Sequence, residues 1–233
     1  MGDSERTRDG GEGHAKRRSF NDVRAPLMLL YVAVFVGGRI GCLAAWALLA
    51  AMAVLVAVVA FLYEGREIGR ATRFNLGGAA IGAGAGCALY VLIAFGLRAL
   101  AVQATSGAQI ESGVELPWLF TSLLKLRGCL DPVPAVLAGL GGAFLLAPAE
   151  EMFWRGFVQL RISLWLGKWI GPLLASLLYA GLYALALGPL AALGALLTGA
   201  VCAGLTARSG SLVPAIVCHA VVWALAIWIM PVL

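Results

Sequence analysis

The sequence predicts an all-α membrane protein, a polytopic bundle of about seven transmembrane helices. Of its 233 residues, 61% are hydrophobic and only 12% are charged, and the apolar residues form long runs. Soluble domains are about 45–50% apolar and about 25% charged. Long apolar runs also exclude a transmembrane β-barrel, whose strands alternate apolar and polar residues. The net charge of +5 does not indicate nucleic-acid binding, because the basic residues lie in the tail and the short connections, as topology signals do.

Changes in composition divide the chain into three regions. Residues 1–25 are polar and rich in Gly, Asp, Glu and Arg, which predicts a disordered cytoplasmic tail. Residues 26–131 are expected to form N-terminal membrane helices with a polar connection, and residues 132–233 a core helix bundle that carries the candidate site. The abundance of Ala and Gly is typical of a bacterial source of high GC content, which indicates the bacterial cytoplasmic membrane.

The first apolar run, residues 26–62, is too long for one span of about 20 residues. It is interrupted at Gly37-Gly38-Arg39, so a two-helix hairpin is favoured over one long tilted helix. The basic connection after it, residues 64–73, then lies on the same cytoplasmic side as the N-terminus.

The second apolar region, residues 75–103, contains glycines at every fourth position, Gly78, Gly82 and Gly86. Small residues at this spacing lie on one helix face and let membrane helices approach closely. The later apolar runs are interrupted by Arg161 and Lys168, which indicate a cytoplasmic end, and then by two short connections. The predicted spans in this part are residues 132–166, 169–187, 189–207 and 212–232.

Two glutamates and an arginine lie inside one of these apolar runs: Glu150, Glu151 and Arg155. A charge at the centre of a membrane helix costs about 2.5–3.5 kcal/mol on insertion scales, so three of them indicate a function. Glu151 and Arg155 are i,i+4 neighbours on a helix and can form an ion pair, whereas Glu150 is rotated by about 100° and stays available for another partner. Pro148 removes a helix hydrogen bond and predicts a kink or break just before them.

The spans also contain His219, in the last of them, and the hydroxyls of Tyr179, Tyr183, Ser176 and Thr198. A carboxylate and an imidazole form a general-base set that can activate a water in a dry site. The simpler interpretations are an interfacial ion pair for the acids and a polar tether between helices for His219. For the two tyrosines the simpler interpretation is ordinary packing with a satisfied hydroxyl.

The stretch Glu150-Glu151-Met152-Phe153-Trp154-Arg155-Gly156 resembles the EExxxR signature of the CPBP family of intramembrane endopeptidases (CAAX protease and bacteriocin-processing, or Abi), which includes the prenyl-protein endopeptidase Rce1. Residues 176–183 fall where that family carries FxxxH, and residues 208–220 resemble the lead into its HxxxN motif. The resemblance covers roughly residues 132–228.

The resemblance implies that Glu150 is the base, that Glu151 and Arg155 support it, and that His219 donates to the oxyanion. Tyr183 occupies the position of the first family histidine, which the family uses with the first glutamate to activate water. A phenol ionises only near about pH 10, so this tyrosine does not replace an imidazole base, but it can donate to an oxyanion. Trp223 occupies the family asparagine position; with one N–H and no acceptor, it is a poor substitute.

The expected function is hydrolysis of a peptide bond in a membrane-associated protein or peptide substrate, with the lipid bilayer as the other partner. The alternative is a catalytically inactive relative that binds a peptide or partner protein in an immunity, sorting or scaffold role, as the residues at positions 183 and 223 suggest. The sequence requires no cofactor. A divalent metal such as zinc, if bound, would use Glu150 and His219, although catalytic zinc usually takes three protein ligands.

Overall fold

The computed structural model describes residues 26–30, 32–33, 42–105 and 139–228, and their regular structure is helical throughout. Three helices in this part of the chain are long and apolar enough to cross a membrane: Leu76–Gly96, Ile170–Leu187 and Pro189–Ser209. The shorter helix Val213–Trp228 is apolar as well. The chain is therefore an integral membrane protein with an all-α fold, as predicted. The predicted tail, the interruption at 37–39 and most of the polar connection before the core lie outside the described residues.

Seven α-helices and two π-helical segments make up the longer described stretches. In chain order they are α1 (Cys42–Ala71), α2 (Leu76–Thr105), a π-helical segment (Gly142–Leu146), α3 (Ala147–Phe153), a second π-helical segment (Trp154–Gln159), α4 (Leu160–Leu166), α5 (Ile170–Leu187), α6 (Pro189–Ser209) and α7 (Val213–Trp228). The segments between Gly142 and Leu166 follow one another directly, and together they are called the glutamate helix below.

Pro148 does not break the glutamate helix, contrary to the predicted kink or break. The residues before it, Leu146 and Ala147, keep α-helical dihedral angles. The Ala147 N–H instead bonds to the carbonyl of Gly142, five residues back, in a π turn. A proline ring crowds the carbonyl four residues before it, and the wider π turn relieves this contact while the helix continues.

Helix α1 extends to Ala71, so the connection expected at residues 64–73 is mostly helical. The helix is interrupted at Glu64, whose φ of −127° and ψ of 22° are not helical. The buried Glu64 carboxylate forms an ion pair with the buried guanidinium of Arg161 in α4. The side chain of Arg161 therefore points into the protein. The ion pair compensates two charges that water no longer solvates.

The bundle places α5 and α7 beside the glutamate helix. Helix α5 packs along α6 and against α4 and the second π-helical segment, while α7 lies against α2 and α3. Phe153, Trp154 and Phe157 fill the core between these helices. At one end of the bundle, Ser211 Oγ and the Leu212 N–H both donate to the Ala71 carbonyl, at 3.0 and 2.8 Å.

Two of the three regularly spaced glycines in α2 permit a close helix contact, as predicted. A Cβ at Gly82 would collide with the backbone of Pro214, and one at Gly86 would lie 2.7 Å from the Cys218 carbonyl oxygen. Gly78 differs, since the three atoms nearest to a Cβ there belong to the Asn75 side chain on the same stretch of chain. Gly82 and Gly86 therefore fix the distance between α2 and the helix that carries His219.

Replacing Gly86 with Val is expected to destabilise the protein by roughly 3 kcal/mol, because the new side chain meets backbone that cannot move aside. Gly84→Val is the matched control: it changes the same helix by the same residue, and no atom lies within 4 Å of the added Cβ. Unfolding of both variants in mixed micelles, followed by helical circular dichroism, measures the difference. Equal losses of stability in the two variants would contradict the close contact.

Candidate active site

Three elements bring the predicted site residues together. The glutamate helix supplies Glu150, Glu151 and Arg155, α5 supplies Tyr183, and α7 supplies His219. All five are buried. The side chain of Glu150 keeps 11% of its surface exposed, whereas that of Glu151 keeps none. The two adjacent carboxylates thus have different environments, and Glu150 is the one that a small molecule can approach.

Glu151 forms the expected ion pair with Arg155. The Arg155 Nε lies 3.1 Å from Glu151 Oε2, and neither side chain is exposed. The contact lacks the alignment of a hydrogen bond, so it acts mainly through charge. Arg155 also donates through Nη2 to the Gly199 carbonyl in α6, at 3.2 Å. This second contact holds the guanidinium in place beside the carboxylate.

Glu151 also contacts His219, through its other oxygen. Glu151 Oε1 lies 2.9 Å from His219 Nδ1, which is a hydrogen-bonding distance. Arg155, Glu151 and His219 therefore form a continuous polar chain from α6 through the glutamate helix to α7. The sequence spacing indicated the Arg155 contact, but the contact between Glu151 and His219 depends on how α7 packs.

Glu150 accepts hydrogen bonds from two tyrosines of α5. Tyr179 Oη donates to Glu150 Oε2 at 2.7 Å, and Tyr183 Oη donates to Glu150 Oε1 at 3.0 Å. His219 Nε2 lies 3.8 Å from Glu150 Oε2, beyond direct hydrogen bonding. The sequence left Glu150 available for another partner, and that partner is the tyrosine pair. Their hydroxyl groups orient the carboxylate and offset its charge.

Tyr179 has a larger part in the site than the sequence indicated. Its ring does pack, at 5.4 Å from the Trp154 ring and 4.9 Å from the Tyr183 ring, as expected for a core residue. Its hydroxyl nevertheless makes the shorter of the two bonds to Glu150. The spacing of Tyr179 and Tyr183 was the available signal, because residues four apart present their hydroxyls on the same helix face.

Trp223, at the family asparagine position, packs against the backbone of the glutamate helix. A Cβ added to Gly142 would overlap the Trp223 indole, and the indole Nε1 is the atom nearest to it. Gly142 lies eight residues before Glu150, about two helical turns away. The indole nitrogen therefore lies beside Gly142, and the side chain packs between α7 and the glutamate helix.

The donor set falls short of a zinc site. Within residues 26–30, 32–33, 42–105 and 139–228, no group of three or more His, Cys, Asp or Glu is arranged to hold a metal ion. Glu150 and His219, the ligands expected for a metal, supply two donors, and Glu151 is already paired with Arg155. Because catalytic zinc usually takes three protein ligands, these residues do not fit it.

Residues 132–225 match a family model described as type II CAAX prenyl endopeptidase Rce1-like. Over these residues the chain is similar to the Rce1-like family. No curated protein and no solved structure matches the chain. The Rce1-like segment holds every residue of the site described above, from the glutamate pair to His219, while α1 and α2 precede it. The resemblance inferred from the glutamate motif is confirmed, and a membrane-protease type of role follows from the family.

Proposed function

We propose that the protein is an intramembrane endopeptidase that hydrolyses a peptide bond of a membrane-associated protein, with water activated by Glu150. The observation that carries this proposal is the position of Glu150. Its carboxylate is nearly buried, is oriented by two tyrosine hydroxyls, and has an imidazole nitrogen 3.8 Å from one oxygen. A carboxylate in such surroundings has few water molecules to stabilise it and is suited to accept a proton from one bound water.

In the proposed reaction the water oxygen attacks the carbonyl carbon of the scissile peptide bond. One water proton passes to Glu150, and the carbonyl oxygen becomes the oxyanion of a tetrahedral intermediate. When the C–N bond breaks, Glu150 returns the proton to the departing amine nitrogen. The products are a new carboxyl terminus and a new amine, and Glu150 is again ionised.

Tyr183 is the proposed donor to the oxyanion. Once Glu150 has gained a proton, it accepts the tyrosine hydrogen bonds less strongly, because they are no longer bonds to a charged group. The bond from Tyr183 is the longer one, and Tyr183 is 8% exposed against 2% for Tyr179. Its hydroxyl can therefore turn toward a substrate, while Tyr179 keeps Glu150 in position.

Tyr183→Phe is expected to lower kcat about 100-fold with little change in KM, since loss of one oxyanion donor typically costs about 10²–10³-fold. Tyr179→Phe is the matched variant and is expected to lower kcat only about 10-fold, because its hydroxyl holds Glu150 without contacting substrate. Steady-state cleavage of one substrate by both purified variants measures the difference. A larger loss for Tyr179→Phe would rule out Tyr183 as the oxyanion donor.

We assign the protein to a bacterial cytoplasmic membrane with its N-terminus in the cytoplasm. The end of α1 bonds to the connection between α6 and α7, so the arginines flanking these segments lie near the same end of the bundle. They are Arg66, Arg70, Arg73 and Arg208. Lys and Arg concentrate on the cytoplasmic side of membrane proteins, which supports this orientation.

A catalytically inactive, peptide-binding relative is the second candidate function. The engagement of both Glu150 oxygens by tyrosines favours it, as does the packing role of Trp223. Tyr183→His separates the two candidates. In an inactive relative this change is expected to create cleavage where the unmodified protein has none, whereas cleavage by the unmodified protein excludes this second candidate.

The proposed function is tested by comparing membrane fractions from cells that express either the unmodified protein or Glu150→Gln. New amino termini are labelled chemically and identified by mass spectrometry. The proposal expects a set of termini from membrane proteins that occurs only with the unmodified protein. Identical sets from the two strains would overturn the proposal.

A further inference from the structure

We propose that His219 acts as a hydrogen-bond acceptor for the attacking water and that Glu151 holds it in the tautomer that permits this. The inference rests on the proposed function and differs from the oxyanion-donor role that the family resemblance implies for His219. Glu151 and Arg155 are then positioning residues, since they act through the imidazole. Three features of the site support this assignment. They are the charge of Glu151, the distance from Glu151 Oε1 to His219 Nδ1, and the distance from His219 Nε2 to Glu150 Oε2.

The charge of Glu151 follows from its partner. An arginine side chain is always protonated in proteins, and the Arg155 guanidinium lies 3.1 Å from Glu151 Oε2, with both side chains fully buried. A buried guanidinium without a counter-charge is strongly unfavourable, so Glu151 is ionised. An ionised carboxylate only accepts hydrogen bonds. The 2.9 Å contact between Glu151 Oε1 and His219 Nδ1 therefore has the proton on Nδ1.

The opposite nitrogen of the ring carries the lone pair. A neutral imidazole has one N–H, and with that hydrogen on Nδ1 the other nitrogen is an acceptor. A protonated ring would instead direct an N–H from Nε2 at Glu150, and such charge-assisted bonds close to about 2.7–2.9 Å. The distance from Nε2 to Glu150 Oε2 is 3.8 Å. The two atoms are therefore not bonded to each other, and one water that lies to the side of the line between them can reach both.

One water can donate to both acceptors, with one hydrogen toward Glu150 Oε2 and the other toward His219 Nε2. Its oxygen then presents a lone pair to the substrate carbonyl, and the proton leaves to Glu150 as in the reaction above. This arrangement accounts for a tyrosine at position 183. The family resemblance implies an imidazole acceptor at position 183 on α5. Here His219 on α7 supplies that acceptor, so the Tyr183 hydroxyl can donate to the oxyanion.

The tautomer is measured directly by ¹⁵N NMR of the full-length protein in lipid nanodiscs with labelled histidine. The chain has two histidines, so His14→Gln leaves His219 as the single labelled ring. The expected spectrum shows a protonated Nδ1 and an unprotonated Nε2 near pH 7.5. A protonated Nε2, in either the neutral or the charged ring, would overturn the inference.

The role of Glu151 is tested in Glu151→Gln combined with Arg155→Gln, which removes both buried charges together. This variant is expected to lose the fixed Nδ1–H tautomer and to lower kcat at least about 100-fold with KM within about threefold. In serine proteases the comparable carboxylate-to-amide change costs about 10⁴-fold through the wrong tautomer. Retention of the Nδ1–H tautomer in a folded variant would overturn the role of Glu151. If the variant does not fold, the spectrum of the unmodified ring decides the inference.

The two proposals fail in different ways. If the protein cleaves a substrate but His219 carries its proton on Nε2, this inference is wrong and the endopeptidase proposal stands. If the unmodified protein and Glu150→Gln give identical sets of amino termini, the endopeptidase proposal is wrong. The role of His219 toward a water is then wrong as well, whichever tautomer is found.

Discussion

Glu150→Gln is expected to lower kcat/KM about 10³-fold while the protein remains folded. Glutamine has nearly the same shape as glutamate, and its carbonyl oxygen still accepts one tyrosine hydrogen bond. It does not take up a proton at neutral pH, so the water loses its base. General-base catalysis typically contributes about 10²–10⁴-fold, and the largely buried position of Glu150 limits its replacement by bulk water.

The control for this prediction is Glu67→Gln. Glu67 is an exposed carboxylate on α1, outside the site, and the same chemical change there is expected to leave kcat/KM within about twofold. Cleavage is measured with purified protein in nanodiscs on a substrate identified from the comparison of amino termini. Unchanged cleavage by Glu150→Gln would exclude this residue as the base, even if the protein proves to be a protease.

The features that the sequence predicted are those set by spacing along one helix. The Glu151–Arg155 pair follows from i,i+4 geometry, and the close contact at Gly82 and Gly86 follows from small residues on one face. The assignment of the glutamate pair to a functional site, which rests on the insertion cost of charges in lipid, stays a prediction. The ion pair and the glycine contact were predictable because each follows from the spacing of residues on a single helix.

The features that the sequence did not predict depend on contacts between distant helices. Glu64 and Arg161 are separated by 97 positions, and their pairing coincides with the interruption of α1 at Glu64. The contact of Glu151 with His219 depends on how α7 sits against α2. The π turn before Pro148 also lacked a sequence signal, because a proline predicts a disturbed helix without fixing its form.

Arg155→Met is expected to lower the free energy of unfolding by about 3–5 kcal/mol, the second of the two largest effects. Removing one partner of a buried ion pair leaves the other charge uncompensated, and here Glu151 would remain fully buried. Methionine retains much of the apolar volume of the arginine side chain, so the loss reports mainly on charge. Reversible unfolding in mixed micelles of increasing SDS content measures the change. Arg208→Met, at an exposed position in α6, is the control and is expected to change stability by less than about 0.5 kcal/mol.

A second substitution shows whether the loss comes from the charge left on Glu151. Glu151→Gln in the Arg155→Met background removes that charge, and it is expected to recover at least half of the lost stability. Full additivity of the two single losses would mean that the residues do not interact and would contradict the pairing. Because the same carboxylate accepts from His219, recovery of stability without recovery of cleavage is the expected combination. That result would separate the contribution of the pair to folding from its contribution to the orientation of the imidazole.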